Sequence, residues 1–264
     1  MAAAVRLSHQ EIGDGPPLIV LHGLFGSARN WTSVARRLAV RHRVYALDLR
    51  NHGRSPWADD MDYRAMAGDV IAFMEDHGLD RAALLGHSMG GKVAMAVALG
   101  HGPRVERLIV VDIAPVAYPP SLLSHIQALQ GIDLAAIGRR GDADGLLRDA
   151  IPEAPVRGFL LQNLVARDGG FEWRLNLAAL AAEMDRIMGF PADLLDHSYG
   201  GPALFLGGAL SPYIEPGHHA LIRRLFPAAD IAEISDAGHW VHADQPESFT
   251  AAVGAFLDGK ARTC

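Results

Sequence analysis

The alternation of short aliphatic runs with longer segments of helical period is the feature that most restricts how this chain can fold. The runs rich in Val, Ile and Leu have the length and composition of buried parallel strands, and they lie at residues 18–21, 44–47, 82–85, 108–111, 203–206 and 231–234. Helical spacing of apolar residues fills the intervals, for example at residues 31–39, 63–76 and 93–99. Strict alternation predicts an α/β chain with a mostly parallel, doubly wound sheet, whose working loops lie at the carboxyl ends of the strands.

The alternation stops near Pro115 and resumes near Gly201. In this interval we recognise only helical patterns, separated by prolines, at residues 122–129, 145–151, 156–165 and 176–188. A set of elongated crossover helices would leave an unusually long detour between adjacent strands. We therefore predict an α/β core of residues 1–115 and 200–264, with residues 116–199 inserted as a helical cap.

Composition restricts the partners of the chain. Half of the 264 residues are hydrophobic and a fifth are charged, which is typical of one globular domain or of one domain with an insertion. The formal charge of -6 is spread without a basic stripe, so we expect no nucleic acid partner. The single cysteine, Cys264, excludes an intramolecular disulfide. Without a signal-peptide core or an apolar run of membrane-spanning length, we expect a cytoplasmic protein with no stable membrane insertion.

A nucleophile is indicated by the pentapeptide from Gly86 to Gly90, which matches Gly-x-Ser-x-Gly with Ser88 at its centre. It follows a predicted strand and precedes a predicted helix, and this context distinguishes a strained strand-to-helix turn from a simple glycine-rich connection. Such a turn presents the hydroxyl outward, and it leaves room only for glycine two residues before and two residues after the serine. Ser88 is therefore the predicted nucleophile.

A serine hydroxyl needs a histidine within hydrogen-bond reach to act as a base. In this fold the base lies on the loop after the last strand, where the chain supplies His239 behind a short turn of small residues. His242 is the runner-up, and most of the other eleven histidines are expected to serve surface or packing roles.

The acid that orients the base is less obvious from the sequence. Its usual position follows the strand at 203–206, but Pro212 stands there and Glu215 is displaced. Asp112 directly follows the strand at 108–111, and a carboxylate at this position needs a partner such as His239. We predict Asp112 as the acid, with Glu215 and Asp236 as alternatives.

Attack on a carbonyl develops negative charge on its oxygen, so two backbone N–H groups should point at that oxygen. Met89 follows the nucleophile at a helix start, and Leu24 lies in the glycine-rich loop after the first long strand. These two residues are the predicted oxyanion hole. The predicted substrate-binding residues are aromatic: Phe25, Tyr118, Trp173, Tyr213 and Trp240, with Trp31 as a further candidate.

Five stretches, at residues 22–31, 48–56, 86–92, 110–115 and 238–242, resemble the YbfF-type esterases and their mitochondrial relatives, which have the α/β-hydrolase fold. The resemblance implies a serine hydrolase for short acyl esters, extending to acyl-CoA thioesters, with no metal or organic cofactor. It also implies an acid at Asp112. By analogy Asn51 and Arg54 lie near the mouth of the site, where they either form a structural turn or contact a phosphate.

Other readings of the same residues stay open at this point. The same triad could serve carbon–carbon bond hydrolysis, a lyase reaction or acyl transfer, whereas a serine nucleophile argues against epoxide hydrolases and haloalkane dehalogenases. A non-catalytic ligand receptor is the alternative from a different class.

Overall fold

The computed structural model describes residues 4–119 and 122–259, so Cys264 and the predicted absence of a disulfide lie outside the described residues. The strands are β1 (His9–Ile12), β2 (Pro17–Leu21), β3 (Arg43–Leu47), β4 (Ala82–His87), β5 (Val105–Val111), β6 (Leu164–Arg167), β7 (Gly170–Trp173), β8 (Ala203–Gly208) and β9 (Ala229–Ile234). The α-helices are α1 (Thr32–Leu38), α2 (Tyr63–Asp76), α3 (Met89–Gly100), α4 (Leu123–Gln130), α5 (Arg140–Leu147), α6 (Ala154–Leu160), α7 (Leu177–Ala182), α8 (Met184–Met188), α9 (His219–Leu225), α10 (Val241–Asp244) and α11 (Pro246–Leu257).

Seven strands form one sheet in the order β1-β3-β2-β4-β5-β8-β9. All neighbours are parallel except β1, which pairs antiparallel with β3. The central strands are buried on both faces, because apolar side chains alternate between two hydrophobic clusters that helices cover from opposite sides. The predicted mostly parallel α/β sheet is confirmed, and all six predicted strands lie within observed ones.

The edge strand β1 was not predicted. Its residues His9–Ile12 are largely polar and none is buried, so the strand lacks the aliphatic run that identified the others. β1 lies at the edge of the sheet, where only one of its sides is hydrogen bonded. Its pairing with β3 holds the strand in an extended conformation.

The segment at 116–199 contains five of the helices, α4 to α8, and also a β-hairpin, so the expectation of helices alone is wrong. Strands β6 and β7 pair antiparallel through a two-residue turn at Asp168 and Gly169, whose φ angles are +46° and +85°. The helix expected at 145–151 instead spans Arg140–Leu147. The pattern at 176–188 divides into α7 and α8 at Glu183. The division into core and cap stays our interpretation, and we use "cap" for residues 116–199.

Polar contacts attach the cap to the core near the end of α8. The Tyr63 hydroxyl donates to the carbonyl of Ile187, and the buried Lys92 ammonium donates to the carbonyls of Met188 (2.8 Å) and Gly189 (2.6 Å). Because carbonyls at a helix end carry partial negative charge, a cation there stabilises the contact. Within the described residues, no helix is both long and apolar enough to cross a membrane.

Candidate active site

Ser88 occupies the sharp turn between β4 and α3. Its φ of +52° and ψ of -120° lie in a region that L-residues rarely adopt. A Cβ atom at Gly86 would overlap the backbone of Gly90, and one at Gly90 would overlap the carbonyl of Leu21, so both positions require glycine. The Ser88 N–H donates to the Val111 carbonyl at 3.0 Å, which fixes the turn against the neighbouring strand β5.

Ser88, His239 and Asp112 form a continuous hydrogen-bonded chain. The Ser88 hydroxyl lies 3.1 Å from Nε2 of His239, and Nδ1 of the same ring lies 2.7 Å from Oδ2 of Asp112. The Asp112 side chain is fully buried, while the imidazole is about a quarter exposed. This arrangement allows the ring to take a proton from the hydroxyl while the carboxylate orients it.

Asp112 follows β5 with a φ of +51°, and the end of the adjacent strand β8 supplies its remaining partners. The Gly208 N–H donates to Oδ1 at 3.1 Å, and the Ser211 hydroxyl donates to Oδ2. The end of β8 and the loop after it, where the acid usually lies, thus provide hydrogen-bond donors to the Asp112 carboxylate. The two alternative acids, Glu215 and Asp236, are exposed.

Neighbouring rings hold the imidazole of His239 in place. The Tyr213 ring stacks on it with centroids 4.2 Å apart, and Nε2 of the buried His87 donates to the His239 carbonyl at 2.8 Å. Burial, followed by the proximity of His239, keeps the pKa of His87 well below its ordinary value, so this neighbour stays neutral. His242 stacks instead on Trp31, and burial lowers its pKa to about 4.

The loop after β2 lies directly over the nucleophile, since a Cβ atom at Gly23 would stand 3.2 Å from Cβ of Ser88. Two N–H groups of this loop already have acceptors. The Phe25 N–H donates to Nε2 of His52 at 3.2 Å, and the Gly26 N–H donates to the Gly23 carbonyl at 2.9 Å. Among the described residues, the N–H groups of Leu24 and Met89 have no protein acceptor. These two groups are therefore available to a substrate oxygen.

His52 is a functional candidate that the sequence did not reveal. Its Nδ1 donates to the Arg50 carbonyl, so Nε2 is left to accept the N–H of Phe25, which has a φ of +64°. Burial lowers the pKa of His52 to about 3, and the ring therefore stays a neutral acceptor. Only its place in the stretch at 48–56 could have drawn attention to it.

A cavity of about 170 Å³ opens over Ser88 between the core and the cap. Its core wall includes Leu24, Phe25 and Trp31, and its cap wall is made by α6 and the start of α4. The cap residues that line it were not predicted, and they are Leu122, His125, Val156, Phe159 and Leu160. Most of the lining is apolar, as expected of a site for an acyl chain.

The structure brings most of the predicted aromatic residues to this cavity. Phe25, Tyr213 and Trp240 line it, and Trp240 also contacts Phe159 with ring centroids 5.5 Å apart. Tyr118 lies in a smaller adjoining cavity, where its hydroxyl donates to the Tyr213 carbonyl. Trp173 does not reach the cavity over Ser88, because β7 places it on a separate depression. In the described part of the chain, no cluster of three His, Cys, Asp or Glu side chains is suited to a metal ion.

Comparison with known proteins identifies the family of this chain. Residues 16–246 match the family model described as alpha/beta hydrolase fold. The chain belongs to the α/β-hydrolase fold family. It is 45% identical over 250 residues to the sn-1-specific diacylglycerol lipase ABHD11 of Mus musculus, covering 92% of this chain and 81% of the relative. It is 37% identical over 249 residues to the esterase YbfF of Escherichia coli (strain K12), covering 93% of this chain and 94% of the relative.

A solved marine microorganism esterase is 39% identical and superposes with a TM-score of 0.93, covering 96% of this chain and all of that one. These relatives place this α/β-hydrolase in the esterase branch of its family, as the sequence predicted, and its activity is that of a serine hydrolase for carboxylic esters. Its substrates are small-molecule esters.

Proposed function

We propose that this α/β-hydrolase cleaves short acyl esters and thioesters through an acyl-enzyme on Ser88. The observation that carries the proposal is the hydrogen-bonded chain from Ser88 through His239 to Asp112, which ends in an apolar cavity. A receptor that only binds ligands has no need for a strained serine, an oriented base and available N–H groups at one point.

The first half of the reaction follows from this geometry. His239 removes the hydroxyl proton as Oγ of Ser88 forms a bond to the carbonyl carbon. The N–H groups of Leu24 and Met89 stabilise the negative oxygen of the tetrahedral intermediate, and each such donor contributes about 10²- to 10³-fold in rate. The intermediate then expels the alcohol or thiol, which takes the proton from the imidazolium.

In the second half, His239 removes a proton from water, and the hydroxide oxygen attacks the acyl carbon. Collapse of the second intermediate releases the carboxylic acid and returns the proton to Ser88. A protonated imidazole cannot accept either proton, so the rate should fall as the solution is acidified.

The size of the cavity supports a short acyl group. At about 170 Å³ it is smaller than the roughly 300–1,000 Å³ of pockets that enclose drug-sized ligands. Residues of α4 and α6 form part of the cavity wall, so we expect a long acyl chain to displace α6 or to leave through the open side of the cavity. We also propose that the protein works in the cytoplasm, a prediction that rests on its sequence alone.

The test is hydrolysis of p-nitrophenyl butyrate by the Ser88→Ala variant. We expect a loss on the order of 10⁴-fold or more in kcat with an unchanged unfolding midpoint, since nucleophile and base act as a unit. Ser235→Ala is the matched control, because this serine is exposed on the loop that carries His239. If Ser88→Ala kept substantial activity, or if the wild type released no p-nitrophenol, the assignment would be wrong.

A further inference from the structure

A second and smaller cavity, of about 30 Å³, adjoins the catalytic cavity at the nucleophile. Four residues line both spaces: Leu24, Ser88, Leu122 and Tyr213. We call the smaller space, which Lys92, Tyr63 and Tyr118 also line, the side cavity. An acyl group bound to Ser88 therefore has two spaces open to it, the larger apolar cavity and the side cavity.

Lys92 brings a buried cation to the side cavity. It follows Ser88 by one turn of α3, and its N–H donates to the Ser88 carbonyl at 3.1 Å. Among residues 4–119 and 122–259, no carboxylate lies within 4.0 Å of its ammonium group. Burial lowers the pKa of Lys92 to about 7, because its surroundings compensate the charge only weakly. A buried cation without a counterion is costly, so its position beside the nucleophile requires a reason.

The Lys92 ammonium group has more donors than the protein uses. It carries three N–H groups, and two of them donate to the carbonyls of Met188 and Gly189 at 2.8 and 2.6 Å. The rings of Tyr118 and Tyr63 lie 4.9 and 5.7 Å from Nζ, where they offer cation–π attraction but no strong acceptor. In the described part of the chain, the third N–H has no hydrogen-bond acceptor. This donor is available to a ligand in the side cavity.

The two tyrosine hydroxyls beside Lys92 are already committed within the protein. The Tyr63 hydroxyl donates to the carbonyl of Ile187, and the Tyr118 hydroxyl donates to the carbonyl of Tyr213 at 2.6 Å. The other side chains that line the side cavity are apolar, apart from the nucleophile. Lys92 is therefore the group that can recognise an oxygen atom there.

The size of the side cavity limits what can enter it. A water molecule needs roughly 10–15 Å³ of such space, so about 30 Å³ admits a substituent of only one or two heavy atoms. A substituent this small reaches the side cavity only from the first carbons next to the ester carbonyl. Its buried walls suit the acyl group rather than the leaving group, because the leaving group must depart while the acyl group stays on Ser88.

We propose that the side cavity selects esters whose acyl group carries a hydroxyl or oxo oxygen on its second or third carbon, and that Lys92 donates a hydrogen bond to this oxygen. A hydrogen bond from an ammonium group is among the strong ones, and it would satisfy the third donor. The hydrocarbon remainder of the acyl group stays in the larger cavity. This inference rests on the proposed function, because the acyl group must be one that is transferred to Ser88.

The kinetic test uses the separate enantiomers of methyl 2-hydroxybutanoate and methyl 3-hydroxybutanoate, with the wild-type chain and a pH-stat assay. Enantiomers have the same intrinsic reactivity, so a difference in kcat/KM between them arises from the protein. Only one enantiomer can direct its hydroxyl into the side cavity while its alkyl group stays in the larger one. For at least one of the two esters, we expect a ratio of about tenfold or more in kcat/KM between enantiomers.

Two variants distinguish binding of the oxygen from attachment of the cap. Lys92→Met keeps most of the side-chain volume and removes the donor, so the ratio between enantiomers should fall about 3- to 10-fold. Arg64→Met is the matched control, because the exposed Arg64 also joins core and cap through its ion pair with Asp193 but does not line the side cavity. It should leave the ratio unchanged. If Lys92 serves only to hold the cap, Lys92→Met lowers the unfolding midpoint without changing the ratio, and the inference is overturned.

A binding measurement does not depend on the folding of Lys92→Met. The full chain carrying Ser88→Ala is titrated by NMR with the preferred hydroxy ester and with the analogue that has a methyl group in place of the hydroxyl, methyl 2-methylbutanoate or methyl 3-methylbutanoate. The hydroxy ester should bind more tightly. A cavity without an available donor would favour the methyl analogue, since burying a methyl group is favourable and burying an unpaired hydroxyl is costly.

The outcomes separate this inference from the proposed function. A wild type that cleaves p-nitrophenyl butyrate but does not distinguish the enantiomers of either hydroxy ester contradicts the inference alone. Equal or tighter binding of the methyl analogue contradicts it as well. Ester hydrolysis that survives Ser88→Ala contradicts the proposed function, whatever the selectivity.

Discussion

The sheet and the cap hold the catalytic cavity in different ways. On the sheet side, the carboxyl ends of β4, β5 and β8 meet at one edge, and backbone hydrogen bonds between them fix Ser88 and Asp112. On the cap side, short helices lay apolar side chains over the cavity, and they are attached to the core by a few polar contacts such as those of Lys92. We propose from this comparison that the sheet holds the reacting groups, whereas the cap selects the length of the acyl chain.

The largest expected effect tests the sheet half of this comparison. Asp112→Asn should lower kcat by about 10²- to 10⁴-fold, because an amide cannot stabilise the charged imidazole and favours the wrong tautomer. The rate of p-nitrophenyl butyrate hydrolysis measures it. Glu215→Gln is the control and should stay within twofold of the wild type. The reverse result would move the acid to the loop after β8.

A smaller effect tests the cap half. Phe159→Ala removes a ring from the cap wall of the cavity, so longer acyl chains should be accepted. The kcat/KM ratio of p-nitrophenyl octanoate to p-nitrophenyl butyrate should rise about 3- to 10-fold, the gain expected when one or two more methylene groups are buried. Phe171→Ala, in the hairpin outside this cavity, should not change the ratio. An unchanged ratio in Phe159→Ala would assign chain-length selection to the sheet.

The smallest effect concerns Lys92, which joins the two halves. Burial lowers the pKa of Lys92 to about 7 from an ordinary value of 10.5. Between these values the unfolded chain binds one more proton than the folded chain, so the free energy of unfolding contributed by this site rises with pH. Urea denaturation of the wild type and Lys92→Met at several pH values should show the wild type gaining about 1 kcal/mol per pH unit over the variant above pH 7. A constant difference would mean that the hydrogen bonds to the cap keep the ammonium charged.

Much of the sheet side could be predicted because its signals are local. An aliphatic run identifies a strand buried on both faces, and glycines two residues either side of Ser88 identify the sharp turn between strand and helix. The acid was harder to assign, because β5 and β8 are neighbours and both strands end beside His239. Sequence spacing does not determine which of the two ends carries the carboxylate and which carries its donors, Gly208 and Ser211.

The cap could not be predicted to the same degree. Its short helices have apolar faces that fit several arrangements over the core, so periodicity does not show that Phe159 faces the cavity or that Trp173 faces away from it. The hairpin of β6 and β7 did leave a signal, since Asp168 and Gly169 form a dipeptide typical of tight turns. The helical pattern assigned to residues 156–165 overlaps the start of β6, so the hairpin was not predicted.

The distance along the chain between the proposed nucleophile and its base has a consequence for biosynthesis. His239 follows Ser88 by 151 positions, and the whole cap lies between them. A nascent chain that has emerged from the ribosome only as far as β8 already contains the hydroxyl of Ser88 and the carboxylate of Asp112, but it lacks the imidazole of His239. We therefore expect the order of translation to keep the unfinished polypeptide inert toward cellular esters until the loop after β9, which carries His239, has been made.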